Sequence, residues 1–211
     1  MVLEFLRGRK QEKPIEPIKV QVDPRARLQE ISIKLRILIE KLERSEAALE
    51  DKNKQLFEKV VKAEAAKEKE RAAVYANEIV QIRKIAKTIW IGITALEKVT
   101  LRLDTVKSAI EAKDILTSPE LGVLRPLSET LRGVMPEVSL ELSKINENLE
   151  EVTMSFGTMD HYEYVTEERD EEVQGILRQA SEVAVQRMKN VFPVPDLSTL
   201  EKESEKEQTK W

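Results

Sequence analysis

From Leu28 onward an apolar residue returns at every seventh position: Leu28, Leu35, Leu42, Leu49, Leu56 and Ala63, with Ile31 and Leu38 at the intervening step. A repeat of this kind keeps one stripe of a helix against a partner, and it predicts a helix of about 40 residues, ~60 Å long at 1.5 Å per residue. Asp23 and Pro24 mark its start, an acidic cap followed by the residue whose missing N–H costs nothing in a first turn. A second stripe (Tyr75, Ile79, Ile82, Ala86, Ile89, Ile93, Leu96, Thr100, Leu103, Lys107, Ile110) alternates steps of four and three and predicts a second long helix, to about Asp114. Between the two, Glu64 to Arg71 (EAAKEKER) has no large apolar group. With neither Gly nor Pro, it either turns the chain or carries the helix through.

Two long helices with matched stripes bury them most economically as an antiparallel hairpin. The second helix also carries Val74, Ile85, Trp90, Ile91, Val99, Leu101 and Val106 off its seam. One partner cannot cover that much apolar surface, so later helices of the same chain or other copies must pack there.

After Asp114 the punctuation changes. Ser118-Pro119, Arg125-Pro126 and Met135-Pro136, with Gly122 and Gly133, predict short helices near 119–132 and 136–153. Gly157 to Glu172 is polar and acidic and reads as a linker. An amphipathic segment follows from about Glu171 to Asn190, then VFPVPDLSTL, and then EKESEKEQTKW, which has almost nothing to bury and reads as disordered. The fold class is therefore all-α: a long antiparallel hairpin with shorter C-terminal helices, elongated or filament-forming. The organisation is an N-terminal segment and linker (1–22), a helical core (23–156, its hairpin about 24–114), an acidic linker and regulatory helix (157–190), and a partner-binding peptide with a tail (191–211).

Composition narrows the function. The 211 residues are 35% charged and only 4% aromatic, with six glycines, one histidine and no cysteine. That is poor material for a compact α/β enzyme core. There is no disulfide framework, thiolate metal site or thiol nucleophile. The glycines are too dispersed to cradle a phosphate. His161, with Asp160 and Glu163 nearby, falls short of a metal-ligand set and reads as a solvated polar residue. No cofactor, metal or catalysis is expected.

The net charge of −4 conceals an asymmetry. Residues 1–113 hold 25 Lys+Arg and 18 Asp+Glu, a net +7, while residues 114–211 hold 10 and 21, a net −11. The basic half can attract the acidic half, or address anionic lipid or nucleic acid once that half moves away. Glu30, Glu40, Glu43 and Glu46 interrupt the cations, and few aromatics offer stacking platforms, which argues against nucleic acid.

No stretch approaches the ~20 apolar residues needed to span a bilayer. The start, MVLEFLRGRK, lacks the apolar run of a signal peptide. It does set Val2, Leu3, Phe5 and Leu6 beside Arg7, Arg9 and Lys10, a composition suited to wedging into the lipid boundary while cations meet phosphates. Loose docking of a frayed terminus on the protein is the alternative. At the other end, Pro193 and Pro195 pre-set an extended backbone from which Phe192, Val194 and Leu197 project. Such peptides dock into grooves of partner domains at reduced entropic cost, unless the segment folds back on its own bundle.

The stretch KEKERAAVYANEIVQIRK (Lys67–Lys84) resembles the start of the second helix in the ESCRT-III family. VFPVPDL resembles that family's proline-containing MIT-interacting motif. The order of elements over Arg25 to Leu200 is similar to the short archaeal cell-division paralogues. The resemblance implies a subunit that switches between a closed monomer and an open form polymerising on anionic membranes, at the inner face of the cell membrane at the division site. It implies paralogues as co-polymers and an AAA+ ATPase whose MIT domain grips Phe192, Pro193, Val194, Pro195 and Leu197. Ile85, Trp90, Val99 and Val106 become the candidate polymer interface. No segment after Val191 matches the winged helix of the longer division paralogue, which points to recruitment through another paralogue. The competing reading of the same pattern is a passive coiled-coil scaffold or dimer.

Overall fold

The structure, a computed structural model, describes residues 24–105, 115–116, 118–155 and 166–191. Every regular element among them is helical: α1 (Pro24–Ala65), α2 (Lys69–Asp104), α3 (Pro119–Gly122), α4 (Leu124–Leu131), α5 (Pro136–Ser155) and α6 (Thr166–Val191). The heptad stripe of α1 is its buried face, with Leu28, Ile31, Leu35, Leu38, Leu42, Leu56 and Ala63 buried and Leu49 partly so. It meets Ile79, Ile82, Ala86, Ile89, Ile93, Leu96 and Leu103 of α2 in one continuous core. Each large side chain so buried contributes about 1.5–3 kcal/mol. Asn53, three residues before Leu56, is also buried, and its Oδ1 finds no partner, so the seam carries one polar cost.

The hairpin turns at Ala66–Glu68. Lys67 takes φ 60°, its N–H donates to the carbonyl of Glu64 (2.9 Å), and the Glu68 N–H donates to that of Ala63 (2.9 Å). This is the Schellman arrangement that satisfies the last carbonyls of a helix, with lysine in the left-handed position usually given to glycine. Of the two readings left open for EAAKEKER, the turn is the one observed.

Three boundaries differ from the sequence reading. The regular helix of α2 stops at Asp104, where the Thr105 hydroxyl donates to the Arg102 carbonyl at 2.7 Å, a local bond that competes with helix continuation; residues 106–114 lie outside the described residues. The piece near 119–132 is interrupted at Val123 because Pro126 has no N–H for the carbonyl of Gly122 and its ring crowds that group. The stretch Gly157–Glu172 is not all linker, since α6 begins at Thr166; its acidic run is a helix-start signal as well as a linker signal.

The later helices fold back onto the hairpin. α4 and α5 form a second, smaller hairpin that packs on α1 and α2, and α6 lies along α2 and α3.

Candidate functional site

The flank of α2 is where the chain concentrates its apolar surface. Gly92, Ile93, Thr94, Ala95 and Leu96 are five consecutive buried residues, so this stretch is covered on all sides, by α1 along the seam and by α4 and α6 elsewhere. Trp90 is 2% exposed and Val99 fully buried. Neither is a free surface in this conformation, so either can serve as a polymer contact only in a form that uncovers it. Both belong to the core that α2 shares with α1 and the later helices. Ile85, at 36% exposure, stays at the surface, and Val106 lies outside the described residues. Of the other off-seam residues, Val74 and Leu101 are exposed and Ile91 is half-buried.

Among the described residues the ion pairs joining the basic and acidic halves include Arg27–Glu151 (3.5 Å) and Lys41–Glu141 (2.9 Å), and Lys98 Nζ donates to Gln179 Oε1 at 2.7 Å. Arg27–Glu151 is exposed and Lys41–Glu141 part-buried, and pairs that solvent reaches in this way contribute about 0–1 kcal/mol. Where α6 comes close to α1 the signs are reversed, with Arg187 of the acidic half beside Glu46 of the basic half. Burial raises the Glu46 carboxyl above its ordinary range, Glu50 and Glu43 push the same way, and Arg187 opposes them. The fold-back is therefore held mainly by apolar contact, through Val173, Ala180 and Ala184 of α6 and Leu127, Leu131, Val138 and Leu142 of α4–α5, rather than by the charge split.

Two features carried no signal that the sequence reading used. Ile33 and Ile37 of α1 point away from the seam at 60% and 45% exposure. Ser128, Ser139 and Ser143 form a buried cluster that ties α4 to α5. Among the described residues there is no group of three or more His, Cys, Asp and Glu able to hold a metal ion, and no helix long and apolar enough to cross a membrane. The membrane-contact candidates Val2, Leu3, Phe5, Leu6, Arg7, Arg9 and Lys10, the peptide Phe192–Leu197 and His161 all lie outside the described residues.

The arrangement can be set beside known proteins. Over 169 residues the chain is 38% identical to Cell division protein B1 of Sulfolobus acidocaldarius, covering 79% of this chain and 78% of that protein. The chain belongs to the family of these cell division B proteins. A second member, Cell division protein B of the same organism, is 32% identical over 164 residues, which span 78% of this chain and 62% of that longer protein. No family model matches the chain, and no solved structure matches it. The family assignment and the hairpin agree with the archaeal cell-division resemblance read from the sequence.

Proposed function

We propose that this chain is an ESCRT-III-like subunit of the cell-division machinery, held here in a closed form, which opens to polymerise with itself and with paralogues on anionic membrane and so drives constriction or scission. The observation that carries the reading is the pairing of family membership with apolar surface of α2 off its main seam, Trp90 on one side of the helix and Val99 on the other, that is buried within the folded chain. A passive scaffold has no use for such a cover; a subunit that must not polymerise prematurely does. Opening exchanges intramolecular for intermolecular burial of the same side chains, at little net apolar cost.

In this reading the subunit works at the inner face of the cell membrane as a peripheral protein, with the N-terminal wedge and the cations of the hairpin as the lipid contact. It carries no catalysis and no cofactor of its own. The energy for disassembly comes from an AAA+ ATPase whose MIT domain grips Phe192, Pro193, Val194, Pro195 and Leu197. A role on nucleic acid is not part of it.

The test is to incubate the purified chain, with and without residues 157–211, on anionic vesicles, with candidate paralogues added, and to image the products. The truncated form should assemble more readily than the full chain. A fixed stoichiometry insensitive to truncation, with no vesicle-bound polymer in any mixture, would establish the scaffold instead. Replacing Val194 and Leu197 by Asp should abolish binding to the MIT domain and leave vesicle assembly intact.

A further inference from the structure

Two groups of helices cover α2, and they reach it from different faces. Lys98 faces α6 through its bond to Gln179, whereas Gly92 faces α4. The two positions are six residues apart, about 120° around an ideal helix.

At Gly92 the fit is close. A Cβ added there would stand 3.3 Å from a methyl of Leu42 in α1 and 3.4 Å from both methyls of Leu131 at the end of α4. The bare backbone is a notch in which the Leu131 side chain seats, and α1, α2 and α4 converge on it. Leu131 is also where the α4–α5 turn is tied. Its carbonyl accepts from the Val134 N–H (3.0 Å) and the Met135 N–H (2.7 Å).

The α4–α5 hairpin is fastened to itself by a set of bonds that owes nothing to the rest of the molecule. The Ser128 hydroxyl donates to the Ser139 carbonyl (3.0 Å), the Ser139 hydroxyl donates to the Ser128 carbonyl (2.8 Å), and the Ser128 and Ser143 hydroxyls are 2.9 Å apart. These groups are buried or half-buried, so separating α4 from α5 would strand them. Polar links of the pair to α1 include Lys41–Glu141, Arg27–Glu151, and a Ser45 hydroxyl at 3.5 Å from the Met135 sulfur. Its attachment to α1 and α2 is chiefly the apolar burial of Leu127, Leu131, Val138 and Leu142, so a change that opens this contact releases a pair that stays fastened within itself and moves as one body.

We propose that α4–α5 is a latch that seats on α2 through Leu131 in the Gly92 notch and detaches as a unit, independently of α6. The closed subunit then has two covers on two faces, and a partner can lift one while the other holds. This deepens the closed-form reading above, but its test is run in solution without membrane. Failure to assemble on vesicles would leave it standing, and its own failure would leave the assembly reading standing.

The chain has no cysteine, so spin labels can be placed at will. Two labelled forms of the full chain are made, Lys41→Cys with Glu141→Cys across α1–α5, and Lys98→Cys with Gln179→Cys across α2–α6. Pulsed dipolar spectroscopy reads each distance. Gly92→Leu should move the 41–141 distribution to longer distance in most molecules and leave 98–179 in place. Gly92→Ala needs Leu42 to yield only a few tenths of an ångström and should leave both in place. If both pairs lengthen together, the covers are one cooperative unit and the proposal fails. If neither lengthens, or only 98–179 does, the notch is not the seat and it fails equally. Should Gly92→Leu lose its helical circular dichroism, Leu131→Ala removes the knob instead of filling the hole and is judged by the same outcomes.

Discussion

The Ser32 hydroxyl donates to the Asp104 carboxylate at 2.8 Å, joining the first turns of α1 to the last residue of α2 across 72 positions of sequence. Arg36, one turn further along α1, forms an ion pair with the other carboxylate oxygen. A carboxylate at a helix C-terminus opposes the macrodipole, so Asp104 depends on these partners. Asp104→Ala should destabilise the chain by about 1 kcal/mol, chiefly by leaving the buried Ser32 hydroxyl without its acceptor. A double-mutant cycle with Arg36→Ala should give a coupling of about 0–1 kcal/mol, because that pair is solvent-exposed. Chemical denaturation measures both, and a coupling several times larger would show that the ion pair rather than the hydroxyl bond fixes the end of α2.

The turn at Lys67 carries strain that can be removed. A left-handed lysine costs about 1–2 kcal/mol relative to glycine, part of which returns because glycine loses more backbone freedom on folding. Lys67→Gly should therefore stabilise the hairpin by about 0.5–1 kcal/mol and raise Tm. No change in Tm would mean that the Schellman bonds from Lys67 and Glu68 do not persist in solution.

Glu46 gives the stability of the folded chain a pH dependence of definite sign. Its folded-state pKa is raised, first by burial and then by Glu50 and Glu43, against the opposing Arg187. The folded chain therefore holds this proton more tightly than the unfolded chain. Protonated, the group favours folding; as pH rises from the ordinary carboxylate value through the raised one, that advantage is lost. Glu46→Gln should stabilise the chain at pH 7 and do so less, or not at all, near pH 4. Arg187→Ala should raise the Glu46 pKa further. Equal effects of Glu46→Gln at the two pH values, in urea titrations, would show that Glu46 is not desolvated.

The seam was legible because helical periodicity is local: a leucine every seventh residue states which face is buried before any partner is known. What covers the rest of α2 was not legible, since Trp90 and Val99 read alike for a neighbouring helix and a neighbouring molecule. The turn was ambiguous because lysine rather than glycine stands in the left-handed position. Pro126 signalled a break but acted four residues earlier, at the Gly122 carbonyl. Gly92 sat in plain view as a glycine inside an apolar run, yet only the arrival of Leu131 gives it a purpose. Charge misled in two ways. The acidic run before Glu172 hid the start of α6, and the split between basic and acidic halves suggested an electrostatic clasp where the contacts are mainly apolar.

Trp90 offers a direct reading of the cover over α2. It is 2% exposed and lies about 80° around the helix from Lys98, the residue that bonds α6. The chain has two tryptophans, so Trp211→Phe leaves Trp90 as the single reporter. In the full chain its emission should be blue-shifted and poorly quenched by acrylamide, as for an indole in an apolar core. Removing residues 157–211, and with them α6, should shift the emission to the red and raise the quenching several-fold in dilute solution. Adding anionic vesicles to the truncated form should then reverse both changes, because polymer contacts would cover the same side chain again. An unchanged first step would show that other helices shield Trp90, and an unchanged second step would remove it from the polymer interface. Only exposure followed by re-covering is consistent with one apolar flank serving first the closed subunit and then the filament.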